Sequence, residues 1–172
     1  MAVEIEISSI AELERTLKAL SSEQARKAVY VAAKDAATSA RKVGTQKIGK
    51  TYTMKARDMK AAAQIRPIPD GVVIDIKGPP EGIKKYKAAE RKYGIFASIK
   101  KGRGIRVPRS FATRNGVFLS RAGKERYPLE GLYGPSVPQL YGNPEIMESM
   151  EKQGAEVFEE RLEHEIERRI GK

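Results

Sequence analysis

The sequence predicts an α+β fold: a small antiparallel β-sheet packed against a long N-terminal helix and a C-terminal helix, with a projecting basic β-arm. Three observations predict it. Small and apolar residues recur at helical spacing after Ser21, and again from Ile146 to Ile170. Two apolar runs flank a Pro69-Asp70-Gly71 turn. Between them and the last helix, residues 81–126 are rich in Lys, Arg, Gly and short β-branched runs.

Val3, Ile5 and Ile7 alternate with Glu4 and Glu6, the period of a strand with one buried face. Ser9 stands three residues before Glu12, a capping-box spacing, and Ile10, Leu13, Leu17 and Leu20 follow as one helical stripe. A second box, Ser21 with Gln24, opens a long helix. Its expected inner face is Ala25, Val29, Ala32, Ala36 and Ala40, and its outer face Arg26, Lys27, Lys34, Arg41 and Lys42. Gly44 and then Gly49 are its candidate stops. Residues 53–63 read as another helix with Thr53 as cap.

Residues 64–68 and 72–76 form the arms of a hairpin, with Val72, Ile74 and Ile76 on one face. Gly78-Pro79-Pro80 ends its second strand. Beyond it, fourteen basic residues lie from Lys84 to Arg126 against Glu90 and Glu125 alone, with Tyr86, Tyr93, Phe96, Phe111 and Phe118 interleaved. Residues 95–99, 105–107 and 116–120 have strand character, and Gly102-Arg103-Gly104 and Asn115-Gly116 are turns. The expectation is one long, mobile hairpin or loop. Residues 129–142 are a connector rich in Gly and Pro. Asn143-Pro144-Glu145 then starts the last helix with an N-cap, a proline at the first helical position and an acid in the first turn. Its apolar residues, Ile146, Met150, Gly154, Phe158, Leu162, Ile166 and Ile170, recur every four positions, a spacing that drifts ~40° per step around the helix. The far end is therefore expected to meet a second partner, which makes Ile166 and Ile170 candidate subunit-interface residues.

At 172 residues the chain is long enough for one domain with a core, read as 1–172 with 81–126 as the arm and 127–172 as connector plus helix. Trp is absent, so Ala, Ile, Leu and Val make most of that core. The lack of cysteine excludes disulfides, thiolate metal sites and thiol catalysis. The single histidine, His164, sits between Glu163 and Glu165 and reads as solvated. Gly102-Arg103-Gly104 lacks the third glycine of a phosphate cradle. Ser136 has no histidine near it in sequence and suits a cap better than a nucleophile. No catalytic, cofactor-binding or metal-ligating set is expected, and the chain reads as a non-enzyme without cofactors. The first residues have neither a basic start nor an apolar run, and no stretch reaches the ~20 apolar residues of a membrane span, so a soluble chain is expected.

Charge is segregated along the chain. Residues 1–60 carry twelve Lys and Arg against seven Asp and Glu, residues 61–127 sixteen against five, and residues 128–172 five against ten. The net +11 is thus a basic middle and an acidic end. The basic middle fits nucleic acid, an acidic protein surface or plain solvent. Lys84, Lys85, Arg91, Lys92, Lys100, Lys101, Arg103, Arg106, Arg109 and Arg114 are its candidate contacts with a partner or DNA.

The most distinctive wording is residues 126–141, above all Gly134-Pro135-Ser136-Val137-Pro138-Gln139. Arg126, Pro128, Leu129 and Leu132 precede that string in an Arg-x-Pro-Leu-x-x-Leu phrase. The phrase resembles the prophage minor tail protein Z family, as does the helix after it, with Phe158-Glu159-Glu160-Arg161-Leu162. The basic helix, the hairpin and residues 117–121 before it match in layout. The resemblance implies a structural component of the virion, working in tail completion or head–tail joining. It also implies contacts with other phage tail or neck proteins and with further copies of itself, possible proximity to phage DNA, and a place in the host cytoplasm during assembly and in the tail afterwards. The alternative is a sequence-independent nucleic-acid-binding protein.

Overall fold

In the computed structural model the described residues are 2–3, 22–69 and 71–170. The alternating strand beyond Val3, the stripe of residues 10–20, the boxes opened by Ser9 and Ser21, and Asp70 of the turn lie outside them. The elements follow as β1 (Ala2–Val3), α1 (Ser22–Thr51), α2 (Ala56–Ala62), β2 (Ala63–Ile68), β3 (Gly71–Ile76), β4 (Pro80–Gly82), a 3-10 turn (Ile83–Tyr86), β5 (Ala89–Arg91), β6 (Gly94–Ala97), β7 (Ile105–Val107), β8 (Ser110–Ala112), β9 (Phe118–Arg121), β10 (Leu129–Gly131), β11 (Tyr133–Ser136), α3 (Val137–Tyr141) and α4 (Pro144–Ile170). The class is α+β, with a long N-terminal helix, small antiparallel sheets and a C-terminal helix. Their contacts divide them into two units. One draws on Met1–Gly44, Ala63–Ile76 and Gly142–Lys172, the other on Thr45–Ala62 and Lys77–Tyr141.

The first unit is held by helix packing. Ala28, Ala32 and Ala36 form a small-residue stripe on α1, and Phe158, Leu162 and Ile166 of α4 are buried with them. Alanines four apart leave room beside α1, and the larger side chains of α4 fill that space. Ala28 thus takes the central place expected of Ala25 and Val29, which are only half-buried. Asp35 and Arg161 add an ion pair between the helices at 3.5 Å. Arg41 is not on a solvated face: its guanidinium donates to the Ala63 carbonyl at 3.2 Å. The hairpin is as expected, paired from Ala63 with Ile76 to Ile68 with Gly71, with Ile74 and Ile76 buried. β1 adds to the other edge of β3, giving the order β1-β3-β2.

α4 starts where its cap predicts. The Asn143 side chain accepts from the Glu145 N–H at 3.1 Å, and the Asn143 carbonyl accepts from Ile146 at 2.9 Å. The drifting stripe, however, is buried from Ile146 through Ile166, and only Ile170, 52% exposed, leaves it. A drift of ~40° per step exposes a residue only where the covering surface stays on one side. Here Ile166 is covered within its own unit, so it is a core residue and not an open interface residue.

In the second unit, α1 runs past both Gly44 and Gly49 to Thr51. Thr53 is not a helix cap. Its hydroxyl donates to the Ser98 carbonyl and its N–H to the Ile99 carbonyl, so it joins distant chain, and α2 begins only at Ala56. Pro80 does not simply end a strand but starts one, since β4 pairs with β11. Residues 81–126 form short strands rather than one long hairpin. β5-β6-β7 is one sheet, and β8 and β9 join β10 in another.

Candidate functional surfaces

The Gly134–Gln139 string is a packed corner. The Ser136 N–H donates to the Gln139 side chain at 2.8 Å while the Ser136 hydroxyl accepts from the Gln139 N–H at 3.3 Å, a reciprocal box that starts α3. Ser136 is therefore a cap. Pro135 offers its carbonyl to the Tyr86 hydroxyl at 2.5 Å. Gly134 lies against the Tyr86 ring, where an added Cβ would come within 2.5 Å of it. Tyr86 is fully buried, and burial first, then the Glu81 carboxylate and Tyr52, push its phenol up to about 12, so it stays a protonated donor. Val137, Leu140 and Tyr141 are buried as well, and the Tyr141 and Thr45 hydroxyls bond at 2.7 Å. The wording of this string follows from internal packing. Tyr86, missed in the sequence, is what the string packs around.

All ten candidate cations are exposed. Among the described residues one of them, Lys85, pairs with a carboxylate, Glu81 at 2.7 Å. Lys100 lies over the Tyr52 ring at 5.8 Å, and the Lys101 ammonium donates to the Gly49 carbonyl. Arg109 takes a left-handed backbone (φ 55°) in the turn between β7 and β8. Arg91, Lys92, Arg103 and Arg106 belong to β5-β6-β7 or its connecting turns. Lys92 and Arg106 both approach the Tyr93 ring, at 5.4 and 5.8 Å. The remaining candidates, Lys84 and Arg114, are also free of ion pairs among the described residues.

α4 carries the opposite charge. At about 100° per residue, Glu145, Glu148, Glu156, Glu159, Glu160, Glu163 and Glu167 fall within an arc of about 120°, with Lys152 as the one base among them. None of the seven is in an ion pair among the described residues. Glu165, off this arc and buried, is different: Arg168 contacts its carboxylate at 3.0 Å and Arg169 more closely still. The hydrogen bond from Arg169, acting against burial, holds its carboxyl below the usual range. His164 is exposed. No helix among the described residues is long and apolar enough to cross a membrane, and no group of three His, Asp or Glu among them is placed to hold a metal ion.

No protein-family model, curated protein or solved structure matches the chain.

Proposed function

We propose that this chain is a non-catalytic assembly subunit of a phage tail, acting in tail completion or head–tail joining and associating with copies of itself. One observation carries the reading: two exposed surfaces of opposite sign, each with little compensation around it. One is the glutamate arc of α4, the other the basic surface of the Lys77–Tyr141 segment. Such a pair is complementary between copies. It makes a heterologous contact, which closes into a ring or grows in one direction. The phrase at residues 126–141, with its likeness to minor tail protein Z, supports the tail as the setting. Its tight internal packing supports a structural role for those residues.

Sedimentation of the full-length protein across a salt series tests this. Association is expected at about 0.05 M salt and its loss as screening shortens to a few Å near 1 M. A Glu156→Lys, Glu160→Lys, Glu163→Lys variant is expected to stay monomeric alone. It keeps its basic surface, so it caps wild-type chains at one end and shortens their assemblies. Tails lacking this subunit should be completed by the wild type and not by the variant. A chain that is monomeric at low salt and high concentration, and that neither binds nor completes tails, removes the proposal.

A further inference from the structure

The β5-β6-β7 sheet has two unlike faces. Ile95 and Ala97 are buried, at 0% and 1% exposure. Phe96 between them faces the other way, 39% exposed, and pairs across the strands with Ala89 on one side and Arg106 on the other. Strand alternation places Arg91, two residues from Ala89, on the same outward face. The floor under the Phe96 ring is Gly104: a Cβ there would lie 1.9 Å from the ring's Cζ. Only glycine lets the ring lie against the backbone with its other side open. Beside it, in the turn between β5 and β6, Tyr93 is 63% exposed and within cation–π reach of Lys92 and Arg106. Two open aromatic rings therefore share a small face with Arg91, Lys92 and Arg106, and Arg103 lies in the turn that leads into β7. The carboxylate of this sheet, Glu90, is engaged in accepting from the Ala112 N–H at 3.2 Å.

Exposed aromatic rings beside cations that lack a carboxylate partner among the described residues suit a ligand that brings both a flat apolar surface and negative charge. Unpaired nucleobases on a phosphate backbone bring both. Duplex DNA brings only the phosphates, since its bases are already stacked on one another. An acidic peptide brings carboxylates but no flat partner for the rings.

We propose that the outward face of β5-β6-β7 binds single-stranded nucleic acid without sequence preference, Phe96 and Tyr93 stacking on bases and Arg91, Lys92, Arg103 and Arg106 holding the phosphates. Stacking tolerates every base because each has a π-face, and the cations follow the backbone. Two rings on three short strands engage a stretch of two or three nucleotides per chain. The site shares its cations with the basic surface proposed above for self-association, but the rings are its own, since that association rests on charge alone.

Fluorescence anisotropy of the full-length protein with a labelled oligothymidylate, beside a mixed-sequence duplex of the same length and a poly-glutamate peptide, tests it. The single strand is expected to bind more tightly than the duplex. Phe96→Ala and Tyr93→Ala should each weaken single-strand binding about ten-fold. Their duplex binding and their salt slope should not change, and Phe96→Tyr should restore the affinity. Arg106→Gln should instead reduce the salt slope by about 0.7, one phosphate contact. Melting curves that match the wild type show that these variants are folded. Equal affinity for single strand and duplex, or no effect of either ring, overturns the proposal. Poly-glutamate binding that depends on Phe96 overturns it in favour of an acidic protein. Sedimentation of the ring variants at low salt separates the two proposals: association intact with nucleic-acid binding lost is expected here.

Discussion

At the scale of single residues, the last helix shows how far a spacing argument reaches. Phe158, Leu162 and Ile166 lie four apart and are buried with Ala28, Ala32 and Ala36. The four-residue spacing was enough to name them as one stripe. It was not enough to decide that Ile166 is covered, because that depends on where α1 runs beside it, and no local pattern carries that. Leu162→Ala and Ile166→Ala each remove methyl groups from a closed helix–helix contact, and each should cost about 2–5 kcal/mol. Ile170, half-exposed, should cost within about 0.5 kcal/mol when changed to Ala. Thermal or denaturant unfolding of the three variants checks this. A near-neutral Ile166→Ala would mean that its cover is loose, and would return it to the set of candidate interface residues. Tyr86 gives the opposite lesson. Its role rests on the Pro135 carbonyl, 49 residues away. Its one hint in the sequence was that an aromatic stood in an otherwise basic run.

Elements were legible where local chemistry decides them. The Asn143-Pro144-Glu145 start of α4 and the β2–β3 hairpin are set by capping and turn residues, and both stand where those residues put them. The end of α1 was not legible, because tertiary contact outweighs a local helix breaker. Gly44 is buried in the helix, and Thr45 and Ile48 continue its buried side beyond it. Packing on both sides of the glycines offsets their roughly 1 kcal/mol disadvantage. The short strands of residues 81–126 were legible as strands but not as sheets. β4 pairs with β11, and nothing in either segment names the other. The continuation of α1 makes a prediction at this scale. Gly49 lies inside the helix, and a Cβ added there meets nothing within 4 Å. Gly49→Ala should therefore stabilise the protein by about 0.5–1 kcal/mol, by lowering the entropy of the unfolded chain and improving helix propensity. A denaturant midpoint that does not rise shows that the helix is already strained or frayed at this turn.

At the scale of the whole molecule, the two units interleave along the chain, so neither is a simple stretch of sequence. The second unit nonetheless has the means to stand alone. Its buried residues include Ile48, Tyr52, Met54, Met59, Ile83, Tyr86, Ile95, Val137, Leu140 and Tyr141. Its ends are tied, since Thr45 and Tyr141 bond through their hydroxyls at 2.7 Å. The gap left by removing residues 63–76 is narrow, because the Lys77 N–H donates to the Ala62 carbonyl at 3.1 Å. A chain of residues 45–62 joined to 77–141 through two glycines keeps both of these contacts. It holds twenty Lys and Arg against five Asp and Glu, so it repels itself strongly and is best studied at about 0.15 M salt, where the screening length is ~8 Å. We expect it to unfold cooperatively and to give a dispersed amide spectrum. It should also keep the single-strand binding assigned to β5-β6-β7 while losing self-association, for it lacks the glutamate arc of α4. A narrow amide range without a melting transition would show that the buried residues named above depend on the rest of the chain. In that case the grouping of contacts into two units marks no independent core, and the charge segregation belongs to a single folding unit.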